Sequence, residues 1–198
     1  MRRALPAPTP PRLDEDDEPH ALGDPADGLE LMQTRLNDPD LGGARIRGLR
    51  LVDVAIERGN LANLVAPEAR LSRVTIAGAR LTGAQLTRAS VSDAVFRDCR
   101  IDLATFAGAT LERTTFADCR LEQAELREAL LRAVRFERCD LSEADLTGLR
   151  IDGCELRDCT LTGAAGLERL RGAAMPWDDV LGNAGALAAA LGIRVLDD

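Results

Sequence analysis

The stretch Ala79-Arg80-Leu81-Thr82-Gly83-Ala84-Gln85-Leu86-Thr87-Arg88-Ala89-Ser90-Val91 decides the fold. A large apolar residue stands at 81, 86 and 91, and an alanine stands two positions before each. Read outward in steps of five, the series runs from Ile46 to Leu161, and 23 of its 24 positions hold a large apolar residue, Ala66 being the exception. The second position stays mostly small, as at Ala94, Cys99, Ala104, Ala109, Cys119, Ala124 and Ala129, while the other three are mostly polar or glycine. A period of five suits neither an α-helix, at 3.6, nor a flat strand, at 2. It suits a chain that turns a corner every five residues with the apolar centre and the small residue pointing inward.

The units Ala79-Arg80-Leu81-Thr82-Gly83, Cys139-Asp140-Leu141-Ser142-Glu143 and Ala144-Asp145-Leu146-Thr147-Gly148 resemble the motif of the pentapeptide-repeat family. The resemblance covers about 125 residues and implies an all-β solenoid, a right-handed quadrilateral β-helix in which four pentapeptides make one square coil. A 20-residue period is therefore expected, and the sequence carries one. Phe96, Phe116 and Phe136 are spaced by 20, and so are Cys99, Cys119, Cys139 and Cys159. Each set is expected to form a column inside the rod. About six coils at ~4.8 Å give a rod roughly 30 Å long, whose two ends need covering.

The chain divides into three parts. Residues 1–40 form an acidic, proline-rich tail, expected to be mostly disordered, with a short capping helix or turn at 29–36. Residues 41–166 form the repeat body, with one irregularity at Leu64-Val65-Ala66-Pro67, where the large and small positions are exchanged and a bulge or flattened corner is expected. Residues 167–198 hold an expected helical cap that starts near Pro176 and carries an apolar stripe at Ala184, Leu187, Ala188 and Leu191. Trp177, Leu181, Leu187 and Leu191 are its candidate cap and dimer residues, because in the fluoroquinolone-resistance branch of the family a C-terminal segment joins two solenoids end to end. Capping without dimerisation is the alternative.

Composition agrees with a narrow interior. Hydrophobic residues make up 45% of the chain, yet aromatics only 3%, with no tyrosine, so Leu, Ile, Ala and a few Phe must fill the core. The net charge of −8 is misleading, since residues 41–166 carry 18 Arg and 18 acids and the excess lies in the flanks. No apolar run is long enough to span a bilayer, and Met1-Arg2-Arg3 leads into prolines rather than an apolar signal region. With five cysteines read as reduced thiols, the expected compartment is the cytoplasm, with no membrane association.

Chemistry is sparse. The cysteines lie along a line, whereas a tetrahedral metal site needs convergent ligands, so core packing is the reading for Cys99, Cys119, Cys139 and Cys159. His20, the one histidine, falls in the tail, which argues against a Ser-His or Cys-His pair. No phosphate loop is present, and the stacked Arg80, Arg100 and Arg120 are surrounded by acids without aromatics, which argues against direct nucleic-acid binding. Outward charges alternate in sign along Arg73-Asp93-Arg113, Glu112-Arg132-Asp152, Asp118-Arg138-Asp158 and Glu137-Arg157, the pattern of a self-neutralising surface. One cluster departs from it: Glu122, Glu125, Glu128, Glu143 and Asp145, with Arg127 nearby, make an acidic corner on two adjacent coils. The expected function is a non-enzymatic scaffold for a protein partner, without catalytic residues, metal or cofactor. The alternative that the resemblance implies is a modulator of DNA gyrase, in which an acidic face imitates duplex DNA.

Overall fold

In the computed structural model, which describes residues 4–13 and 27–195, the five-residue period becomes a stack of square coils. Seven strands lie side by side in chain order: β1 (Glu30–Asn37), β2 (Arg50–Glu57), β3 (Arg70–Ala77), β4 (Ser90–Arg97), β5 (Thr110–Ala117), β6 (Leu130–Glu137) and β7 (Arg150–Arg157). Each pairs with the next in parallel at a constant offset of 20 residues, which sets Phe96 beside Phe116 and Phe116 beside Phe136. Two ladders of single bridges form the other sides, one through Arg80, Arg100, Arg120 and Asp140, the other through Gln85, Thr105, Glu125 and Asp145. About six turns separate β1 from β7.

Every corner turns on one left-handed residue, with φ between 45° and 60° where it is not glycine. That conformation costs an ordinary L-residue about 1 kcal/mol or more, and Asp, Asn and Gly bear it best. Asp38, Asp53, Asn63, Gly78, Gly83, Asp93, Asp98 and Asp118 accordingly sit at corners. Less suited residues such as Leu103 and Ala133 adopt it too, the Leu103 amide bonding the Glu122 carbonyl at 2.9 Å. The centre and small positions are buried in a single core from Leu36 to Leu167. Within it the Phe96 and Phe116 rings stack at 4.8 Å, Phe116 and Phe136 at 5.1 Å, and Phe106 meets Phe116 edge-on at 6.3 Å.

Three sequence expectations are corrected. Residues 29–36 form neither helix nor turn: Leu31 and Leu36 continue the series one coil further, so Glu30–Asn37 is the first strand, in register with β2. Pro39, standing where a small residue belongs, hides that continuation in the sequence. No bulge forms at Leu64–Pro67. Leu64 and Ala66 are both buried, the Ala66 amide reaches the Gln85 carbonyl at 2.9 Å, and the Glu68 amide reaches the Thr87 carbonyl at 2.8 Å. Pro67 is harmless because the amide in its column points away from the backbone ladder; at Arg47 and Ala107 it donates to side chains instead. Finally, residues 4–13 lie ordered along the solenoid, with the Thr9 amide on Asp93 and the Arg12 amide on Asp53. The rest of the acidic tail, 14–26, falls outside the described residues.

The C-terminal end is covered by a 3-10 turn (Leu167–Leu170) and two short helices, α1 (Trp177–Gly182) and α2 (Ala184–Ala190). Before them Ala174 supplies a last partner to β7, its amide on the Cys154 carbonyl and its carbonyl accepting the Leu156 amide. Asn183, between the helices, is buried against the last coil, and Asp179 accepts the Asp158 amide at 2.7 Å. Among the described residues no helix is long and apolar enough to cross a membrane.

Candidate functional site

The 20-residue register brings the five residues of the acidic corner together. Glu125 and Asp145 are direct bridge partners, and Glu128 and Glu143 occupy left-handed corners on the same two coils. Glu122 is half-buried beside Arg120 (3.3 Å), and Asp145 lies 3.6 Å from Arg127. Burial pushes Asp145 up, but the Thr147 amide and Arg127 outweigh it and hold the carboxyl below its ordinary range. Glu143 accepts from Gln123 at 2.6 Å. Glu125, Glu128 and Glu143 make no ion pair among the described residues, and all three are exposed. One coil below Glu122, Asp102 is pushed up by burial, and its Oδ1 finds no hydrogen bond.

The rest of the surface is largely neutralised, in a narrower way than the alternating columns suggest. Among the described residues five acid–arginine pairs span adjacent coils at corner positions: Asp38–Arg58, Asp53–Arg73, Glu68–Arg88, Asp93–Arg113 and Asp118–Arg138. In each the acid precedes its arginine by 20 residues, and four of the five are forked, two guanidinium nitrogens on two carboxylate oxygens. Away from corners the pairing changes: Arg157 turns to Glu155 (3.5 Å) rather than Glu137, and Arg135 reaches both Glu137 and Glu155. The Glu112, Arg132 and Asp152 column carries no cross-coil ion pair among the described residues, although its strands are in register.

Cys99, Cys119, Cys139 and Cys159 are buried, one on each of four successive coils. Each Sγ donates toward two backbone carbonyls, as Cys119 does to Phe96 and Ala117. A thiol so engaged is spoken for by the backbone, and burial pushes the neighbouring Cys154 up to about 12. Among the described residues no group of three or more His, Cys, Asp or Glu side chains is placed to hold a metal.

At the C-terminal end Trp177 (71% exposed), Leu181 (56%) and Leu191 (73%) face outward, while Leu187 is half-buried. Ile193 and Val195 are exposed as well. The expected stripe is thus not the face that covers the coil: Ala186 and Ala190 pack against the core, while Ala184 and Leu191 of the stripe are exposed. Two sets of residues escaped the sequence reading. Asn183 gave no signal beyond its place between two glycine-weakened helical turns. The Asp53 and Asp93 pair was visible only as acids 40 residues apart in a column of alternating charge.

The family model for a pentapeptide repeat region matches residues 49–126 and 99–165, together more than half of the chain. The chain belongs to the pentapeptide-repeat family. No curated protein matches it significantly. Among solved structures it is similar to HetL, a pentapeptide-repeat protein involved in heterocyst differentiation regulation from the cyanobacterium Nostoc sp. (21% identity, 79% of this chain and 87% of that one, TM-score 0.45). QnrB1, a plasmid-mediated fluoroquinolone resistance protein, matches at 17% identity over 82% of this chain and 97% of that one, with a TM-score of 0.31. Rfr23, a pentapeptide-repeat protein from the cyanobacterium Cyanothece, matches at 16% identity over 66% and 86%, with a TM-score of 0.27.

Proposed function

We propose that this pentapeptide-repeat protein is a non-enzymatic scaffold that presents its acidic corner to a basic surface of a protein partner. The observation that carries the reading is the contrast in pairing. Among the described residues, five corner acids elsewhere on the rod hold an arginine of the next coil, and Asp98 and Asp158 stand unpaired one at a time. Glu125, Glu128 and Glu143, by contrast, are three exposed acids without an ion pair, among the described residues, on two adjacent coils. A rigid ladder fixes the backbone spacing of these glutamates, so binding need order only their side chains, which favours a partner whose cations match that spacing. The exposed Trp177, Leu181 and Leu191 are candidate contacts for a homodimer, with the half-buried Leu187 in the same segment. Acting in the cytoplasm, without cofactor, membrane or direct nucleic-acid contact, belongs to the same proposal.

A second reading, modulation of DNA gyrase by an acidic face in the place of duplex DNA, rests on the same three carboxylates. Against it, the acidic face spans two coils, and Arg80, Arg100 and Arg120 form an exposed basic row on the neighbouring ladder. Supercoiling by purified gyrase, titrated with the protein with and without a quinolone, separates the two. Sub-micromolar inhibition or drug protection that disappears in a Glu125→Gln/Glu128→Gln/Glu143→Gln chain establishes the gyrase reading. No effect at tens of micromolar removes it, and a pull-down compared between wild type and the same triple variant then tests the scaffold.

A further inference from the structure

The N-terminal segment and one corner column of the solenoid match each other in spacing. The column runs through Asp53, Arg73, Asp93, Arg113, Ala133 and Gly153, one residue per coil. Along it the segment runs in reverse: Arg12 donates its amide to Asp53 at 2.9 Å, Thr9 donates to Asp93 at 3.1 Å, and Leu5 Cδ2 lies over Gly153. Arg12 and Thr9 are three residues apart, while Asp53 and Asp93 are two coils apart. Three residues of polyproline II advance about 9.3 Å, and two coils at ~4.8 Å advance about 9.6 Å. The two repeats therefore stay in step over the length of the segment.

Burial follows the same period. Leu5, Pro8 and Pro11 are half-buried while Ala4, Pro6, Ala7, Thr9, Pro10 and Arg12 are exposed, so over residues 4–12 one residue in three faces the rod; Leu13, also half-buried, leaves that period at the end of the segment. A β-strand would turn every second residue inward. The next amide in the donor series would belong to residue 6, which is proline and has none, and the next acceptor would be residue 133, which is alanine. Donors and acceptors thus end together. At Gly153 a Cβ would come within 3.0 Å of Leu5 Cδ2, so the missing side chain makes the seat for the leucine. Asp53 and Asp93 are 5% and 9% exposed, each gripped by an arginine of the next coil and each capped by an amide of the segment, residues 4–13, which forms a strap along the column.

We infer that this column is a docking groove for a polyproline-II strand, filled in cis by the chain's own residues Leu5–Arg12 as an internal ligand. Its recognition rule is an apolar residue and two prolines at three-residue spacing, with free amides following each proline by one. The inference is independent of the acidic corner and stands or falls by itself.

The test uses full-length chains and a synthetic peptide of residues 4–13. A Leu5→Ser/Pro8→Ser/Pro11→Ser chain has the groove emptied. In NMR titrations the peptide shifts amide resonances of residues 53, 93, 133 and 153 in that chain, and binds it at least tenfold more tightly than it binds wild type. A peptide N-methylated at Thr9 and Arg12 loses at least tenfold in affinity. Absence of shifts in that column at millimolar peptide, or equal binding of the N-methylated peptide, overturns the groove. Should the triple variant fail to fold, wild type answers: Thr9 and Arg12 amides exchange at least tenfold more slowly than in the free peptide. Exchange at the free-peptide rate overturns the proposal.

Discussion

Asn183 completes the ladder above Leu161: its Oδ1 accepts the Leu161 amide at 2.9 Å, and its Nδ2 donates to the Cys159 carbonyl at 2.9 Å. One coil earlier the same two bonds are made by the peptide groups of Thr160, whose carbonyl accepts the Leu141 amide and whose amide donates to the Cys139 carbonyl. A single carboxamide therefore stands in for a residue of the next coil and closes this side of the end, as Ala174 does for the last strand.

Asn183→Leu leaves both backbone groups without partners in a buried setting, where each costs about 1–3 kcal/mol. The expected loss is about 3 kcal/mol, concentrated in the last coil because coils interact only with their neighbours. Amide hydrogen exchange reads this directly. Residues 154–161 should lose protection while those of β2 to β4 keep theirs, and unchanged protection at Leu161 would show that the cap is held by other contacts.

The sequence carried the solenoid because its period is written in residue type: Phe96, Phe116 and Phe136 could stack only if the coil held 20 residues. It carried the acidic corner for the same reason, since a known register turns positions into neighbours. What stayed hidden depends on single side chains acting outside the period. Asn183 works as a peptide mimic, a role set by where the helices place it and not by its neighbours in sequence. The strap escaped because proline and acid in the tail suggest disorder by composition, whereas the commensurate spacing of Thr9 and Arg12 with Asp93 and Asp53 exists only once both repeats are known. The first coil was missed because Pro39 interrupts the small-residue column while Leu31 and Leu36 still keep the centre.

Leu64 and Ala66 exchange the usual sizes of their two positions, yet both are buried in an unbroken coil. Complementary packing, in which the larger residue fills the space that the smaller one leaves, is the expected reason. Leu64→Ala alone should then cost about 2–5 kcal/mol by opening a cavity, and Ala66→Leu alone about 1–3 kcal/mol by overpacking. The double variant, which restores the ordinary order, should lie within about 1 kcal/mol of wild type, since contacting sites couple. Denaturant melts of the four chains decide it. A double variant as unstable as the sum of the singles means that the two side chains fill separate spaces.

Phe116 touches three other rings, Phe96 and Phe136 stacked on it and Phe106 edge-on. Phe116→Ala should destabilise the rod by roughly 3–5 kcal/mol, the usual range for a buried aromatic. Glu125→Gln, on the exposed face, should leave the melt unchanged within about 0.5 kcal/mol. Reversal of that order in thermal melts would show that inner and outer columns are misassigned.

Asp93 links the strap to the column, and its ionisation should set the pH at which the strap lets go. Arg113 hydrogen-bonds it at 2.8 and 2.9 Å, and with the Thr9 amide this outweighs burial and lowers its pKa from 3.8 to about 2. The other charges facing it are Arg73, one coil below, and Glu112, which shares Arg113. Asp53 is lowered in the same direction, chiefly by Arg73 and further by the Arg12 amide. A depressed carboxylate contributes stability that is fully present above its unfolded value, near 3.8, and is lost as pH falls through its folded value, near 2. The strap should therefore stay docked at pH 5, loosen between pH 4 and 2, and return on neutralisation. Two-dimensional NMR followed through the Thr9 resonance measures this. In an Asp93→Ala chain the resonance should already sit at its released position at pH 5, with no step on acidification. A step that survives the substitution assigns the transition to another carboxylate.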